Sequence, residues 1–335
     1  MLGIMAVSAS SCVRGLRHAI PLALCTLAWM GSGAALPAVA EDTAKPPLAP
    51  IATRPDGSER VGRIIALVKI NGKGPFHFML DTGSSRTVLG APLMQRLGLA
   101  LDSDAPVSVW GVSGATLAPT AHVDRLDCGA LRVRNLRLPV LAGPLLEGID
   151  GILGMDGFEG KRLSADFIRG RLSITQANDT RWRLPFPATH LHLSAPRELS
   201  PQWLMLDVYV GSVYTRAIID TGGTHTLGNM ALLRALESEF GAALPQVDAD
   251  VMDATQVLRP SRIARVPRLH LGGAVIDYLD VTFADYHVFE VWGLQSQPAL
   301  LIGMDVLGSL SELTIDYRAH ELQLLPRPYM RAASF

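Results

Sequence analysis

Short apolar runs that end in a carboxylate, a hydroxyl and a glycine occur twice along this chain. Residues 76–80 precede Asp-Thr-Gly at 81–83, and residues 217–219 precede Asp-Thr-Gly at 220–222. Runs of this kind predict buried strands, and a glycine beside polar residues predicts a tight turn. An aspartate at the end of a buried strand needs a hydrogen bond or a charged partner. The pattern therefore predicts two core strands, each ending at a carboxylate in a turn.

The residues around the first of these turns predict a hairpin and a short helix. The apolar run 63–70 is followed by Asn71-Gly72, a strong hairpin signal between two apolar runs. Pro92 stands where the first turn of a helix accepts proline, and Gly98 ends the apolar stripe that follows. The order strand, hairpin, strand, Asp-Thr-Gly and helix recurs after residue 203, with Asn229 as the predicted N-cap of the second helix.

This recurrence is an internal duplication with a nearly constant shift. Two copies at this period predict two homologous lobes rather than a solenoid. The shift grows by about ten residues between the second Asp-Thr-Gly and Gly303, which predicts an insertion around 284–298. The separations between matching residues are 139 for Asp81 and Asp220, 149 for Gly154 and Gly303, and 150 for Asp166 and Asp316.

The first forty residues have the pattern of a secretory signal peptide. A basic stretch precedes the apolar run 19–29, and small residues end at Ala38-Val39-Ala40. An uncleaved membrane anchor is the alternative, but glycines, a proline and the A-x-A site favour cleavage. We therefore expect a periplasmic or secreted protein without stable membrane association after cleavage. The predicted segments are a signal peptide (1–40), a linker (41–58), a first lobe (59–177), a connection (178–200), a second lobe (201–327) and a tail (328–335).

Composition narrows the classes of partner and of stabilising bond. A length of 335 residues suffices for two cores, and a net charge of −1 gives no electrostatic reason to expect nucleic acid as a partner. Cys12 and Cys25 fall within the signal peptide, so Cys128 cannot form an internal disulfide in the mature chain. We expect Cys128 to be a small buried residue at a strand end rather than a nucleophile.

The paired motifs resemble those of the aspartic proteases of the pepsin and retropepsin type. In this chain each Asp-Thr-Gly is followed by an apolar-apolar-Gly, at 152–154 and at 301–303. A Gly-Met-Asp overlaps each apolar-apolar-Gly. This motif resembles that of the bacterial retropepsin-like branch, here with both lobes in one chain. The resemblance covers 60–177 and 200–327. It implies an all-β (mainly β) bilobal fold: two β-barrel-like lobes with short helices, in a monomer with a pseudo-two-fold axis.

The resemblance also implies the chemistry. Asp81 and Asp220 would face each other as a catalytic pair that shares one proton. The ionised member would take a proton from water, and the protonated member would donate to the peptide carbonyl oxygen. We expect an aspartic endopeptidase that acts on peptide or protein substrates without a cofactor or a metal. The alternative is a catalytically weak or inactive peptide-binding protein of the same fold.

Several neighbours of the pair are expected to support it. The threonines would bind the opposite turn through their hydroxyls. The first glycine of each turn has no Cβ and would let backbone amides approach the carboxylates. The first lobe also has a serine whose hydroxyl would bond the aspartate, where the second lobe has glycine. Asp81 would then carry the charge more often and Asp220 the proton. These supporting residues are Thr82, Gly83, Ser84, Thr221, Gly222 and Gly223.

A hairpin tip about thirty residues after Asp81 corresponds to the family's flap, the hairpin that covers the substrate. Two glycines flanked by β-formers predict a tip with a flexible backbone, and a plain surface turn is the alternative. Residues 250–254 at the same offset in the second lobe contain no glycine. We therefore expect a single mobile flap, from the first lobe. Its residues are Trp110, Gly111, Val112, Ser113 and Gly114.

Overall fold

The computed structural model describes residues 4–6, 49–52, 62–178, 184, 188–194, 204–253 and 255–327. The predicted signal peptide, linker and tail lie outside these residues, except for the short strands Ile4–Ala6 and Ala49–Ala52. Much of the predicted connection also lies outside them. None of the helices in the described part of the chain is long and apolar enough to cross a membrane.

The first lobe consists mainly of strands, with one short helix and one 3-10 turn. Asn71 and Gly72 both have positive φ, 50° and 78°, as a two-residue hairpin turn requires. The helix ends at Gly98, which has a left-handed φ of 67°. The elements through the first lobe are β1 (Ile4–Ala6), β2 (Ala49–Ala52), β3 (Arg63–Ile70), β4 (Lys73–Leu80), β5 (Val88–Gly90), α1 (Ala91–Leu97), β6 (Leu101–Gly111), β7 (Ala115–Cys128), β8 (Leu131–Leu141), a 3-10 turn (Pro144–Leu146), β9 (Gly151–Leu153), β10 (Lys161–Asp166) and β11 (Arg171–Gln176).

The second lobe repeats this sequence of elements. Asn229 caps its longest helix, because the side-chain oxygen accepts the Leu232 N–H at 2.9 Å. A short helix, α3, lies in the interval where the repeat predicts an insertion. The remaining elements are β12 (Thr189–His192), β13 (Met205–Val210), β14 (Val213–Ile219), β15 (Leu227–Gly228), α2 (Met230–Phe240), β16 (Gln246–Met252), β17 (Leu258–Arg265), β18 (Leu269–Leu271), β19 (Ala274–Ile276), β20 (Asp280–Phe283), α3 (His287–Val291), β21 (Ala299–Ile302), α4 (Met304–Leu307), β22 (Leu310–Asp316) and β23 (Glu321–Pro326).

The strand order is the same in both lobes. It runs β6-β7-β8-β5-β9-β4-β3 in the first lobe and β16-β17-β20-β15-β21-β14-β13 in the second. In each lobe the strand before Asp-Thr-Gly pairs in parallel with the strand of the apolar-apolar-Gly, β4 with β9 and β14 with β21. The predicted mainly-β fold with two homologous lobes is confirmed.

A shared sheet joins the two lobes along the pseudo-two-fold axis. Strand β10 pairs antiparallel with β22, and Ser164 lies opposite Thr314. These residues are 150 positions apart, the shift that relates the two halves of the sequence. Their hydroxyl oxygens are 2.7 Å apart. The axis therefore passes between two equivalent residues at the middle of the shared sheet.

Cys128 ends β7 with its side chain buried, as predicted. Burial raises the pKa of its thiol to about 12. Since the thiolate is the reactive form, a thiol with so high a pKa is a poor nucleophile at neutral pH. Cys128 is part of the hydrophobic core and not a catalytic residue.

Candidate active site

Asp81 and Asp220 occupy equivalent positions at the ends of β4 and β14. The Asp81 N–H donates to the Leu153 carbonyl at 3.0 Å, and the Asp220 N–H donates to the Ile302 carbonyl at 2.9 Å. The apolar-apolar-Gly strands thus hold the first residue of each turn. Both aspartates are buried, with 0% and 1% of their surface exposed.

The two threonines bind the opposite turn reciprocally, as predicted. The Thr82 hydroxyl donates to the Ile219 carbonyl at 2.7 Å and accepts the Thr221 N–H at 3.1 Å. The Thr221 hydroxyl donates to the Leu80 carbonyl at 2.9 Å and accepts the Thr82 N–H at 3.1 Å. Four hydrogen bonds across the pseudo-two-fold axis therefore fix one turn relative to the other.

The glycines of the two turns bring the carboxylates together. Gly83 donates its N–H to Asp81 at 2.9 Å, and Gly222 donates its N–H to Asp220 at 2.8 Å. A Cβ on Gly83 would lie 3.0 Å from Cγ of Asp220, and a Cβ on Gly222 would lie 2.5 Å from Cγ of Asp81. Each glycine thus faces the carboxylate of the other lobe, and only the absence of side chains allows this approach.

Burial raises the pKa of Asp220, which favours its protonated form. The Gly222 amide, which donates to Asp220 at 2.8 Å, offsets part of this shift, as do the neighbouring Asp81 carboxyl and the Gly223 amide. Two carboxyl groups buried side by side cannot easily both ionise. The geometry therefore fits a pair that shares one proton.

Ser84 does not act as the resemblance implied. Its hydroxyl donates to the Arg86 carbonyl at 2.8 Å, and a hydroxyl has only one proton to donate. It therefore does not donate to Asp81 and gives no reason for Asp81 to carry the charge. The matching Gly223 has a different role, because a Cβ there would lie 2.8 Å from Oδ2 of Asp220. Burial raises the pKa of Asp220, but Asp81 is equally buried, so burial does not assign the proton to one of the two.

A repeated threonine–aspartate contact, which sequence reasoning missed, supports each turn from behind. The Asp156 carboxylate accepts the N–H and hydroxyl of Thr87 at 2.8 and 2.6 Å. The Asp305 carboxylate accepts the same groups of Thr226 at 2.8 and 2.7 Å. Burial raises the pKa of both aspartates. The signal was present in the repeat, because each threonine lies six residues after its Asp-Thr-Gly aspartate.

The flap tip, residues 110–114, comprises the end of β6 and the turn that leads to β7, where the pattern predicts a hairpin. The Gly111 N–H donates to the Gly114 carbonyl at 2.7 Å and closes the turn. The second lobe has the equivalent hairpin, formed by β16 and β17. Its tip is in contact with the flap tip, because the Ser113 N–H donates to Asp253 at 2.6 Å. Sequence reasoning did not indicate this contact.

Metal ligation has no candidate in the described ranges, where no group of three or more His, Cys, Asp and Glu could hold a metal ion. The site consists instead of a buried carboxyl pair, two hydroxyls and backbone amides. Such a set of groups can hold and transfer protons.

A comparison with known protein families found a match within the first lobe. Residues 66–156 match the family model described as Aspartyl protease. The resemblance to the aspartic proteases is confirmed. The matched segment contains the first Asp-Thr-Gly and the first Gly-Met-Asp of the aspartic protease pattern.

Among solved structures, the chain is similar to the aspartic proteinase from Irpex lacteus. The two are 16% identical with a TM-score of 0.49, over 82% of this chain and 97% of that chain. No curated protein matches the chain.

Proposed function

We propose that the chain is an exported aspartic endopeptidase, which hydrolyses peptide bonds with a water molecule activated between Asp81 and Asp220. The observation that carries the proposal is the buried carboxyl pair held by reciprocal threonine hydrogen bonds. A peptide-binding protein of the same fold would not require two carboxyl groups in contact, which are costly to bury without a shared proton.

The mechanism follows from one proton shared between two buried carboxyl groups. Of Asp81 and Asp220, one holds the shared proton and the other is ionised. The ionised member accepts a proton from water as the water oxygen bonds to the peptide carbonyl carbon. The protonated member donates its proton to the carbonyl oxygen, so that acid and base act in one step.

The tetrahedral intermediate then collapses with cleavage of the C–N bond. The proton taken up by the base passes to the leaving nitrogen, and the hydroxyl proton returns to the carboxylate that acted as acid. The pair ends with one proton, as it began. Each such proton transfer contributes about 10²–10⁴-fold to the rate in enzymes generally. The threonine hydrogen bonds keep both carboxyl groups at the distance these transfers require.

The proposal predicts that both aspartates are needed for cleavage of a peptide library. Asn cannot exchange a proton as Asp does, so Asp81→Asn and Asp220→Asn should each lower kcat/KM by about 10³-fold or more. Mass spectrometry of the digested library provides the measurement. The exported protein should serve as enzyme, and its N-terminal sequence should begin after Ala40.

The exposed Asp248 provides a matched control, since Asp248→Asn makes the same chemical change away from the pair. It should leave cleavage unchanged. Cleavage that survives either change in the pair would refute the proposal. Wild-type protein that binds library peptides but cuts none of them would favour the peptide-binding alternative.

A further inference from the structure

Both backbone groups of Ser113, in the flap tip, are bound by side chains of the second lobe. The Ser113 N–H donates to Oδ2 of Asp253 at 2.6 Å. The Ser113 carbonyl accepts a hydrogen bond from the Arg259 guanidinium at 3.0 Å. The flap tip is therefore attached to an anion and a cation that flank the turn between β16 and β17.

An apolar contact adds to these hydrogen bonds. The Val112 side chain is 3% exposed and belongs to a cluster with Ile218 and Tyr286 of the second lobe. The Val112 carbonyl also accepts the Val288 N–H at 3.2 Å. Because Ile218 lies on β14, the strand that ends at Asp220, the flap tip is packed on the core that carries the second aspartate.

Asp253 uses both carboxylate oxygens, and each has a different partner. Oδ1 accepts the Thr255 N–H at 2.8 Å and the Thr255 hydroxyl at 2.5 Å, so it stabilises the turn of its own hairpin. Oδ2 accepts the Ser113 N–H. The side chain is 2% exposed, so water cannot readily replace a lost partner. Asparagine has one acceptor oxygen and a donor group, and it cannot satisfy both partners.

The Asp253 carboxylate also explains why residue 111 is a glycine. A Cβ at this position would lie 2.2 Å from Oδ2 of Asp253, well inside contact distance. Gly111 has no left-handed φ, in contrast to Gly129 and Gly143. The close approach of Asp253 therefore requires this glycine, and the backbone conformation of the flap tip does not.

We infer that Asp253 is a positioning residue for peptide hydrolysis, whose carboxylate docks the flap tip onto the second lobe and sets the fraction of molecules with a docked flap. Its effect on turnover rests on the proposed function, whereas its effect on the flap does not. When only a fraction of molecules is competent to bind, the apparent affinity falls in proportion to that fraction. Loss of docking should therefore raise KM more than it lowers kcat, because bound substrate draws the flap back.

Amide hydrogen exchange of residues 110–114 tests the docking without any substrate. Asp253→Ala and Asp253→Asn should each speed exchange of the Ser113 amide about tenfold or more, as expected for the loss of a hydrogen bond to a charged group. The exposed Asp250 lies on the same hairpin, and Asp250→Asn should leave the exchange rate unchanged. Unchanged Ser113 exchange in folded Asp253→Asn would overturn the inference. This variant can keep a Thr255 hydrogen bond, so it answers the question even where Asp253→Ala fails to fold.

A double-mutant cycle separates docking from general damage to the flap. Gly111→Ala should raise exchange about tenfold in the wild-type background, because the new methyl group would overlap the Asp253 carboxylate. In the Asp253→Ala background that overlap is absent, and the same change should alter exchange less than about twofold. Equal effects of Gly111→Ala in both backgrounds would overturn the inference.

Kinetics on a peptide selected from the library then test the positioning role. Asp253→Asn should raise KM about tenfold and change kcat less than about threefold, while Asp250→Asn changes neither. A lower kcat with an unchanged KM would contradict the positioning role. If the wild-type protein cleaves no peptide, the proposed function fails, and the exchange measurements still decide whether Asp253 docks the flap.

Discussion

Each aspartate of the buried pair depends on the glycine of the opposite turn. The carboxyl groups contact each other because Gly83 and Gly222 leave the space between the turns free. The space is not equal on the two sides: a Cβ would lie 3.0 Å from Asp220 in one turn and 2.5 Å from Asp81 in the other. The pseudo-symmetric site is therefore asymmetric at the level of single atoms.

This asymmetry predicts unequal effects of the two alanine substitutions. Gly222→Ala should reduce kcat/KM more than Gly83→Ala, by about tenfold, because its methyl group displaces the Asp81 carboxylate directly. Steady-state kinetics with one peptide, together with thermal unfolding of both variants, provide the comparison. Equal losses, or a greater loss for Gly83→Ala, would show that the tighter approach at Gly222 does not govern the geometry of the pair.

The sequence predicted the reciprocal threonines but misplaced the Ser84 hydroxyl. A threonine follows the aspartate in both copies, as Thr82 and Thr221, and two-fold symmetry makes each threonine the partner of the opposite turn. The position that matches Ser84 in the second lobe has no hydroxyl, and the single proton of Ser84 goes to the Arg86 carbonyl. Which of two nearby acceptors a hydroxyl selects depends on local backbone geometry that a residue pattern does not contain.

At the scale of elements, short-range signals were sufficient for strands, turns and helices. The Asn71-Gly72 turn and the Asn229 cap occur where their residue types predict them. The contact between the flap tip and Asp253 could not be predicted, because it joins residues 140 positions apart through two separate hairpins. The absence of glycine from residues 250–254 predicted only that this hairpin tip differs from the flap tip. In the structure Asp253 accepts a hydrogen bond from Ser113 of the flap tip.

At the scale of the molecule, one pseudo-two-fold axis passes through both the candidate active site and the shared sheet. It passes between Thr82 and Thr221 at the site and between Ser164 and Thr314 in the sheet. The constant shift in the sequence predicted the axis, but not the ion pair beside it. Arg162 and Asp316 form that pair across the lobes at 2.7 Å, with 12% and 9% of their side chains exposed.

This ion pair should contribute more to stability than the more exposed pair formed by Asp166, the residue that matches Asp316 in the first lobe. Arg162→Ala leaves Asp316 buried without its cation, and it should lower the free energy of unfolding by about 3 kcal/mol. The matched control is Arg169→Ala, which removes the 67% exposed partner of Asp166. Its effect should stay below about 1 kcal/mol. Urea unfolding monitored by fluorescence measures both, and similar losses for the two variants would contradict the assigned role of the Arg162 pair.

The proposed function requires Asp81 and Asp220 to act as one shared-proton pair, and the pH dependence of kcat/KM for a single peptide tests this most directly. The rate should fall at low pH, where both carboxyl groups are protonated and no base remains. It should also fall at high pH, where both are ionised and no acid remains. Because burial raises the pKa of Asp220, the alkaline limb should lie above the ordinary aspartate value of 3.8. A rate that rises to a plateau and persists into alkaline pH would contradict the shared proton.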